Sequence, residues 1–358
     1  HAAIDRFAAM MIERMQHMKD TGWKLETSSG RHPSLYGLNP ESGYFIGVDI
    51  KKFAINIGLI NFKGDMVEIK MNIPYKFENT QEALEELCAL IRNFIKGTEI
   101  NDKKIMNICI NISGRVNPES GYSFSMFNFS ERPLADVLNE KIGYPVCIDN
   151  DTRAMTYGEH MQGCVKGEKD IIFVNISWGL GIGIIIDGKV YTGKSGFSGE
   201  FGHVNVFDNE ILCHCGKKGC LETEASGSAL HRILLERIGS GESSILSKRT
   251  AENPPTLDEI ITAVNKEDLL CIEIVEEIGQ KLGRQIAGLI SIFNPELVII
   301  GGTLSSTGDY IVQPIKTAIR KYSLNLVNKD ATVTVSKLKD KAGVVGACML
   351  ARSRMFEI

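Results

Sequence analysis

The feature that most constrains this fold is a group of three cysteines within eight residues, preceded by a histidine. The segment reads Cys213-His214-Cys215-Gly216-Lys217-Lys218-Gly219-Cys220, and His203 lies upstream of it. Three thiolates and one imidazole complete the tetrahedral shell of Zn²⁺. Because a catalytic zinc keeps an open coordination position, this set predicts a structural ion bound by His203, Cys213, Cys215 and Cys220. His214 is an alternative histidine ligand.

Composition describes an ordinary globular protein. The chain has 358 residues, 43% of them hydrophobic, and a formal net charge of −4, which gives no overall basic field for nucleic acid. The sequence contains no uninterrupted apolar stretch of about 18 residues, and residues 1–22 lack the pattern of a signal peptide. These observations predict a cytoplasmic protein with no membrane partner.

The order of apolar patterns predicts an α/β protein built from two units. In the first unit, residues 44–50, 54–62 and 105–112 are expected as strands and 80–96 as a helix. In the second, strands are expected at 170–177, 181–187, 297–301 and 332–336, with helices near 221–237 and 267–293. A last helix is expected at 343–354. A cleft between two such units is the default ligand site.

Four polar side chains are candidates for binding a sugar. Asn150 and Asp151 follow the predicted strand that begins at Val146, where open α/β sheets bind ligands. There Asp151 is placed to accept a proton from a hydroxyl and Asn150 to hold a neighbouring hydroxyl. Glu200 and Glu222 bracket the zinc segment, so a metal that folds it brings both carboxylates toward one place.

Four blocks of sequence together resemble the ROK family of repressors and sugar kinases. They are residues 148–151, the run Gly179-Leu180-Gly181-Ile182-Gly183, residues 199–203 and residues 213–222. The resemblance implies an actin-like, two-domain sugar kinase fold. It also implies that Asn150, Asp151, Glu200, His203 and Glu222 line a sugar pocket, with His203 binding both zinc and sugar.

The sequence departs from the family's kinases at the phosphate-binding turns. Such kinases have Asp-x-Gly-x-Thr at the end of the first strand, whereas this chain reads Asp49-Ile50-Lys51-Lys52-Phe53. Larger side chains there obstruct a close approach of the backbone to a triphosphate. Trp178 also stands where a kinase has a small polar residue. Only if the chain is a kinase do its glycines hold ATP and Mg²⁺, namely Gly179, Gly181, Gly183, Gly301 and Gly302.

Three basic residues are candidates for binding a phosphate on the sugar. Lys51 and Lys52 stand where a kinase holds phosphate, and Arg115 replaces a proline of the family's kinases. A phosphorylated sugar is therefore a reasonable effector, although two lysines after a strand are more often simply solvated.

The N-terminal segment resembles the linker of the family's repressors. Residues 28–33 and 38–40 match the linker that joins a winged helix-turn-helix to the sugar-binding body. Residues 4–19 predict an amphipathic helix, either a packing or dimer helix or part of a DNA-binding module. The expected domains are residues 1–38, a first α/β domain of 39–149 with 343–358, and a second of 150–342.

The sequence therefore predicts a transcriptional regulator of carbohydrate metabolism whose kinase-like body binds a sugar or sugar phosphate. DNA would be bound through an N-terminal module, of which these residues hold a remnant, and the chain would form a homodimer or homotetramer. One alternative is an ATP-dependent kinase of a hexose or N-acetylhexosamine, with Asp151 as the catalytic base. Another is a sugar-binding protein with neither activity.

Overall fold

The computed structural model describes residues 12–15, 35–249 and 252–356, with side chains described from Leu38 onward. The strands in chain order are β1 (Ile12–Met15), β2 (Leu35–Leu38), β3 (Tyr44–Ile50), β4 (Ala54–Asn61), β5 (Met66–Pro74), β6 (Ile105–Ile112), β7 (Val116–Asn117), β8 (Tyr122–Ser123), β9 (Val146–Asn150), β10 (Ile171–Ile176), β11 (Leu180–Ile186), β12 (Lys189–Val190), β13 (Leu297–Gly301) and β14 (Thr332–Val335). The helices are α1 (Gln81–Gly97), α2 (Leu134–Ile142), α3 (Asp151–Gln162), α4 (Gly227–Gly239), α5 (Leu257–Asn265), α6 (Leu269–Phe293), α7 (Asp309–Tyr322), α8 (Asn325–Asp330) and α9 (Ala342–Ser353).

Two five-stranded sheets share one topology. The first has the order β5-β4-β3-β6-β9 and the second β12-β11-β10-β13-β14. In each sheet the first three strands form an antiparallel meander, and two later strands add in parallel beside the first of them. The same strand order in both halves is the duplicated α/β plan of the actin-like fold.

Each sheet has its own hydrophobic core. In the first, β3 is a nearly continuous buried run because helices cover it, and α1 begins where the Thr80 side chain accepts a hydrogen bond from the Ala83 amide. In the second, α6 packs along α7 and begins just after its N-cap residue Asp268, whose side chain accepts a hydrogen bond from the Cys271 amide. The capping side chains therefore fix where the covering helices start.

Helices α3 and α9 join the two halves. Helix α3 contacts β10 and β11 of the second sheet, while α9 packs on β3, β4 and β6 of the first, and the two helices pack on each other. A side chain at Gly346 would overlap with the Ala154 carbonyl, and one at Gly158 would meet the Ala342 carbonyl. The helices thus cross closely because both crossing points are glycine.

Most predicted elements are confirmed, and two helices need correction. A helix is expected over residues 4–19, but residues 12–15 form a strand, because they pair with β2 in an antiparallel ladder. The rest of that predicted helix lies outside the described residues. The helix expected near 221–237 begins only at Gly227, since Leu221–Thr223 form a 3₁₀ turn and Ser226 provides the N-cap.

Of the predicted linker, residues 28–33 lie outside the described residues, whereas 38–40 run from the end of β2 into a 3₁₀ turn. The winged-helix remnant also falls largely outside them, so the linker, the remnant and the expected domain boundaries stay predictions. In the part of the chain that the structure describes, no helix has the length and apolar character needed to cross a bilayer.

Candidate functional site

The structure brings together the four predicted metal ligands. One donor atom from each of His203, Cys213, Cys215 and Cys220 lies within 4.8 Å of the others. The Sγ atoms of Cys215 and Cys220 are 3.7 Å apart, and Cys213 Sγ lies 3.5 Å from His203 Nδ1. Bonds of about 2.3 Å to sulfur and 2.0 Å to nitrogen place two tetrahedral sulfur donors about 3.8 Å apart and a sulfur and a nitrogen donor about 3.5 Å apart. The residues therefore fit one tetrahedrally bound ion.

Glycines allow the tight turn that forms this site. Gly216 and Gly219 both have positive φ, at 84° and 72°. Gly219 also lies against the Phe207 carbonyl, so a side chain there would collide with backbone. This compact path turns Cys213, Cys215 and Cys220 toward one point.

His203 lies between the cysteine cluster and Glu200. Its Nδ1 atom faces Cys213, and its Nε2 atom lies 3.7 Å from Glu200 Oε2. One nitrogen is thus directed toward the metal position, while the other is paired with the carboxylate that the sequence predicts at the sugar. His214 takes another position: it is largely exposed, and its Nδ1 atom lies 2.9 Å from Glu222 Oε1.

Glu222 is buried and already bonded. Only 6% of the residue is exposed, and its Oε2 atom accepts a hydrogen bond of 2.9 Å from the Leu180 amide at the start of β11. Glu222 therefore fixes the end of the segment 213–222 to the second sheet. Any sugar contact would fall to Oε1, on the side facing His214.

Asn150 and Asp151 mark the junction of β9 and α3. The Asn150 side chain accepts a hydrogen bond from the Arg153 amide and donates one of 2.9 Å to the Gly114 carbonyl, so it caps the helix. Asp151 Oδ2 accepts a 2.6 Å hydrogen bond from the Ser113 hydroxyl. Burial raises the pKa of Asp151, against the opposing effect of the Ser113 bond. A carboxylate with a raised pKa is a better proton acceptor for a hydroxyl.

The sequence prediction left out Asp49, which faces Asp151 across this junction. Asp49 is 1% exposed and accepts a hydrogen bond from Asn56 Nδ2. Burial, opposed by Lys51 and reinforced by the charge of Asp151, raises the pKa of Asp49 to about 6. Beside it on β6, the buried Oδ1 atom of Asn111 is unpaired among the described residues. The position of Asp49 at the end of a buried strand is the signal that points to it.

A second missed residue is Arg153, which ties together two loops beside the site. Its guanidinium is 2% exposed, pairs with Asp149 at 2.7 Å, and donates to the carbonyls of Gly196 and Val116. Val116 follows the first sheet, whereas Gly196 belongs to the loop that leads to Glu200. Arg153 thus fixes the two loops relative to each other.

Comparison with known proteins assigns this arrangement to a family. The family profile "ROK family" matches residues 45–354. The chain belongs to the ROK family. It is 32% identical over 333 residues to a xylose repressor of Caldicellulosiruptor bescii, covering 92% of this chain and 83% of the repressor. The duplicated fold described above is accordingly the sugar kinase fold of this family.

Two solved structures give the same fold. A ROK family transcriptional regulator, a homologue of the Escherichia coli MLC protein, superposes with a TM-score of 0.81 at 26% identity and covers 99% of this chain and 88% of the regulator. A ROK family glucokinase of Streptomyces griseus, in complex with glucose and AMPPNP, superposes with a TM-score of 0.77 at 29% identity and covers 87% of this chain and all of the kinase. The regulator match therefore extends over more of this chain.

Within this ROK fold, packing accounts for the glycines that a kinase would use for ATP. A side chain at Gly183 would overlap with Thr156 Oγ1, and one at Gly181 would press on Thr152, so both let α3 lie against β11. Gly179 faces the Glu222 carboxylate, Gly301 faces the Phe173 ring, and Gly302 lies against Asn175 with φ +82°. The glycine pattern thus has a structural cause that needs no nucleotide.

The basic residues predicted to bind phosphate follow two neighbouring strands, with Lys51 and Lys52 after β3 and Arg115 after β6. Lys52 Nζ lies 5.0 Å from the centre of the Trp178 ring and 5.1 Å from that of Phe53. Lys51 acts electrostatically on Asp49. Arg115 is exposed on the loop after β6, and its guanidinium has no partner among the described residues. An anion site formed by these three side chains therefore stays a prediction.

Proposed function

We propose that this ROK protein is a transcriptional regulator, a repressor of carbohydrate metabolism, whose body binds a sugar effector and does not phosphorylate it. The observation that carries the proposal is the contact of Lys52 with Trp178. Trp178 stands where the family's kinases have a small polar residue, and Lys52 lies between Lys51 and Phe53, which replace the glycine and threonine of the kinase pattern. In this chain a cation–π contact fills that space.

Two further observations support a regulator. The xylose repressor and the MLC homologue match 92% and 99% of this chain, whereas the glucokinase structure matches 87% of it. The two regulators thus match a part of this chain that has no counterpart in the glucokinase structure. On this proposal the protein is cytoplasmic, and DNA is bound through an N-terminal module.

The proposed effector site consists of Asn150, Asp151, Glu200, His203 and the free side of Glu222. Carboxylates and an amide are suited to sugar hydroxyls, and the His203 Nε2 atom 3.7 Å from Glu200 Oε2 supports a shared role of these two side chains. Two neighbouring carboxylates, the buried Asp49 and the half-buried Asp151, disfavour a phosphate next to Asp151. An unphosphorylated sugar is therefore favoured over a sugar phosphate.

We also propose that the ion in the cysteine cluster is Zn²⁺ with a structural role. Three thiolates and one imidazole at tetrahedral spacing are the usual donor set for this metal. The ion would hold the segment that carries Glu222 and orient His203, so metal loss would weaken sugar binding as well as stability.

Binding of DNA by the full-length gene product tests the regulatory function. A mobility-shift titration of the upstream region of its own gene should show a complex that D-xylose or another sugar of a hexose and pentose panel dissociates or strengthens. Because a ligand that favours one closure of the cleft changes how two protomers present DNA, sugar must alter the apparent affinity. DNA binding that no sugar changes would contradict the proposed effector site.

A sugar kinase is the second candidate, favoured by one observation. Asp151 keeps the position and the raised pKa that a general base requires. If that function operates, ATP consumption with a hexose or N-acetylhexosamine will be measurable, with Mg²⁺ present, and will be lost in Asp151→Asn.

A further inference from the structure

Two exposed aromatic rings meet beside the proposed sugar site. The ring centres of Phe124 and Phe197 lie 5.3 Å apart with the ring planes at 90°. Phe124 is 49% exposed and Phe197 is 39% exposed. An edge-to-face pair of this kind leaves one ring face open to solvent. The two rings belong to different loops, one after β8 and the other after β12.

Hydrogen bonds from one buried arginine hold the loops near these rings in place. Arg153, which is buried, donates to the carbonyl of Gly196, the residue before Phe197, and to the carbonyl of Val116. A side chain at Gly196 would collide with that same Val116 carbonyl, so the loops touch through backbone. The aromatic pair is therefore preorganised rather than free to collapse.

Backbone connections relate the loops of both rings to residues of the proposed pocket. Phe197 precedes Glu200 by three residues. The Phe124 amide donates to the Arg115 carbonyl. The neighbouring Gly114 carbonyl accepts a hydrogen bond from Asn150. Each ring is thus only a few residues from a polar group proposed to bind the first sugar ring.

Exposed aromatic rings in a fixed position indicate a contact surface for a flat, weakly polar group. Leaving two phenylalanines partly in water forfeits some of the free energy that their full burial would provide. A six-membered ring that covers them recovers part of this free energy, and an aromatic face is suited to the C–H face of a pyranose or to an aryl ring.

We infer that Phe124 and Phe197 form a second subsite, which binds the ring attached to the first sugar. The inference rests on the proposed function, because the first ring must occupy the site around Asp151 and Glu200. The effector class is accordingly a glycoside with two rings, a disaccharide or an aryl glycoside, in preference to a monosaccharide.

Calorimetric titration of the full chain with matched probes tests this inference. The one-ring probes are D-glucose and D-xylose; the two-ring probes are cellobiose, xylobiose and the 4-nitrophenyl β-glycosides of glucose and xylose. Wild type should bind a two-ring probe at least about 5-fold more tightly than its monosaccharide. Preference for the disaccharides identifies a second sugar ring, and preference for the nitrophenyl glycosides an aryl group.

Variants locate the effect. Phe124→Ala and Phe197→Ala should each reduce the two-ring preference about 3- to 10-fold, whereas Tyr322→Ala, an equally exposed aromatic residue on α7, should not change it. Circular dichroism checks that the variants are folded. A wild type that binds one-ring and two-ring probes equally overturns the subsite and leaves the proposed function intact. If no sugar binds, the proposed function fails together with this inference.

Discussion

The ammonium of Lys52 lies 5.0 Å above the Trp178 ring, although Lys52 belongs to the turn between β3 and β4 and Trp178 to the turn between β10 and β11. The contact therefore joins the two sheets at the entrance where the family's kinases take nucleotide. Trp178 also lies 5.5 Å from the His231 ring. Side chains from both halves of the protein therefore meet at these two turns.

The first prediction concerns the strength of this contact. In a double-mutant cycle, Lys52→Ala and Trp178→Ala should show a coupling of about 0.5–1 kcal/mol in the free energy of unfolding, because the pair is partly exposed. Urea titration of the two single variants and the double variant measures it. Independent effects of the two substitutions, with zero coupling, would show that the sheets are not joined here.

The second prediction concerns the metal. The purified protein should contain about one zinc ion per chain by elemental analysis, and Cys215→Ser should lose the ion together with more than about 2 kcal/mol of stability. Cys164→Ser changes a partly buried thiol outside the cluster and is the matched control. It should keep the ion. A metal-free wild type with the same melting temperature as Cys215→Ser would refute the zinc site.

The third prediction concerns the packing of α3 on β11. Gly183→Ala should destabilise the protein by about 1–3 kcal/mol, since the new methyl group overlaps with Thr156. Gly239→Ala is the control, because a methyl group there meets no atom within 4 Å at the end of α4. Thermal unfolding compares the two variants. Equal melting temperatures would mean that the glycine run is not required for packing.

The fourth prediction concerns pH. Because the folded-state pKa of Asp49 is about 6 against an ordinary value of 3.8, the folded protein holds this proton more tightly than the unfolded chain. Its contribution is full below about pH 4 and is lost as pH rises to about 6, a change of about 3 kcal/mol. Asp151 contributes in the same direction.

Asp49→Asn is the test of this linkage. The variant keeps a group of the same shape that can donate to the unpaired Asn111 oxygen, so its stability should depend less on pH between 4 and 6. Urea unfolding at several pH values compares it with wild type. The prediction fails if the two proteins show the same slope across that range.

The buried strands and the clustering of His203 with three cysteines were predictable because their signals are local. A continuous apolar run such as Tyr44–Ile50 indicates a covered strand, and closely spaced cysteines indicate a shared ion. The start of α4 was not predictable from apolar spacing alone, because the metal segment before it uses the same apolar residues in a 3₁₀ turn.

Long-range contacts explain why the sequence prediction of the site did not include Arg153 and Asp49. Arg153 contacts carbonyls at Val116 and Gly196, and Asp49 faces Asp151 from a strand about a hundred residues away. Likewise, the glycines of β11 match a nucleotide-binding pattern in the sequence, whereas in the structure they make room for α3. The roles of these residues depend on which strands, helices and loops pack together in the folded chain, and the local sequence pattern does not contain that information.

A coupled assay of ATP consumption tests the central claim most directly. Wild type and Asp151→Asn are assayed with Mg²⁺-ATP and D-glucose, D-xylose or N-acetylglucosamine, each first shown to bind by a rise in melting temperature. We predict that a sugar stabilises the wild type while neither protein consumes ATP above background. Sugar-dependent turnover in the wild type that Asp151→Asn abolishes would show that the protein is a kinase and contradict the account.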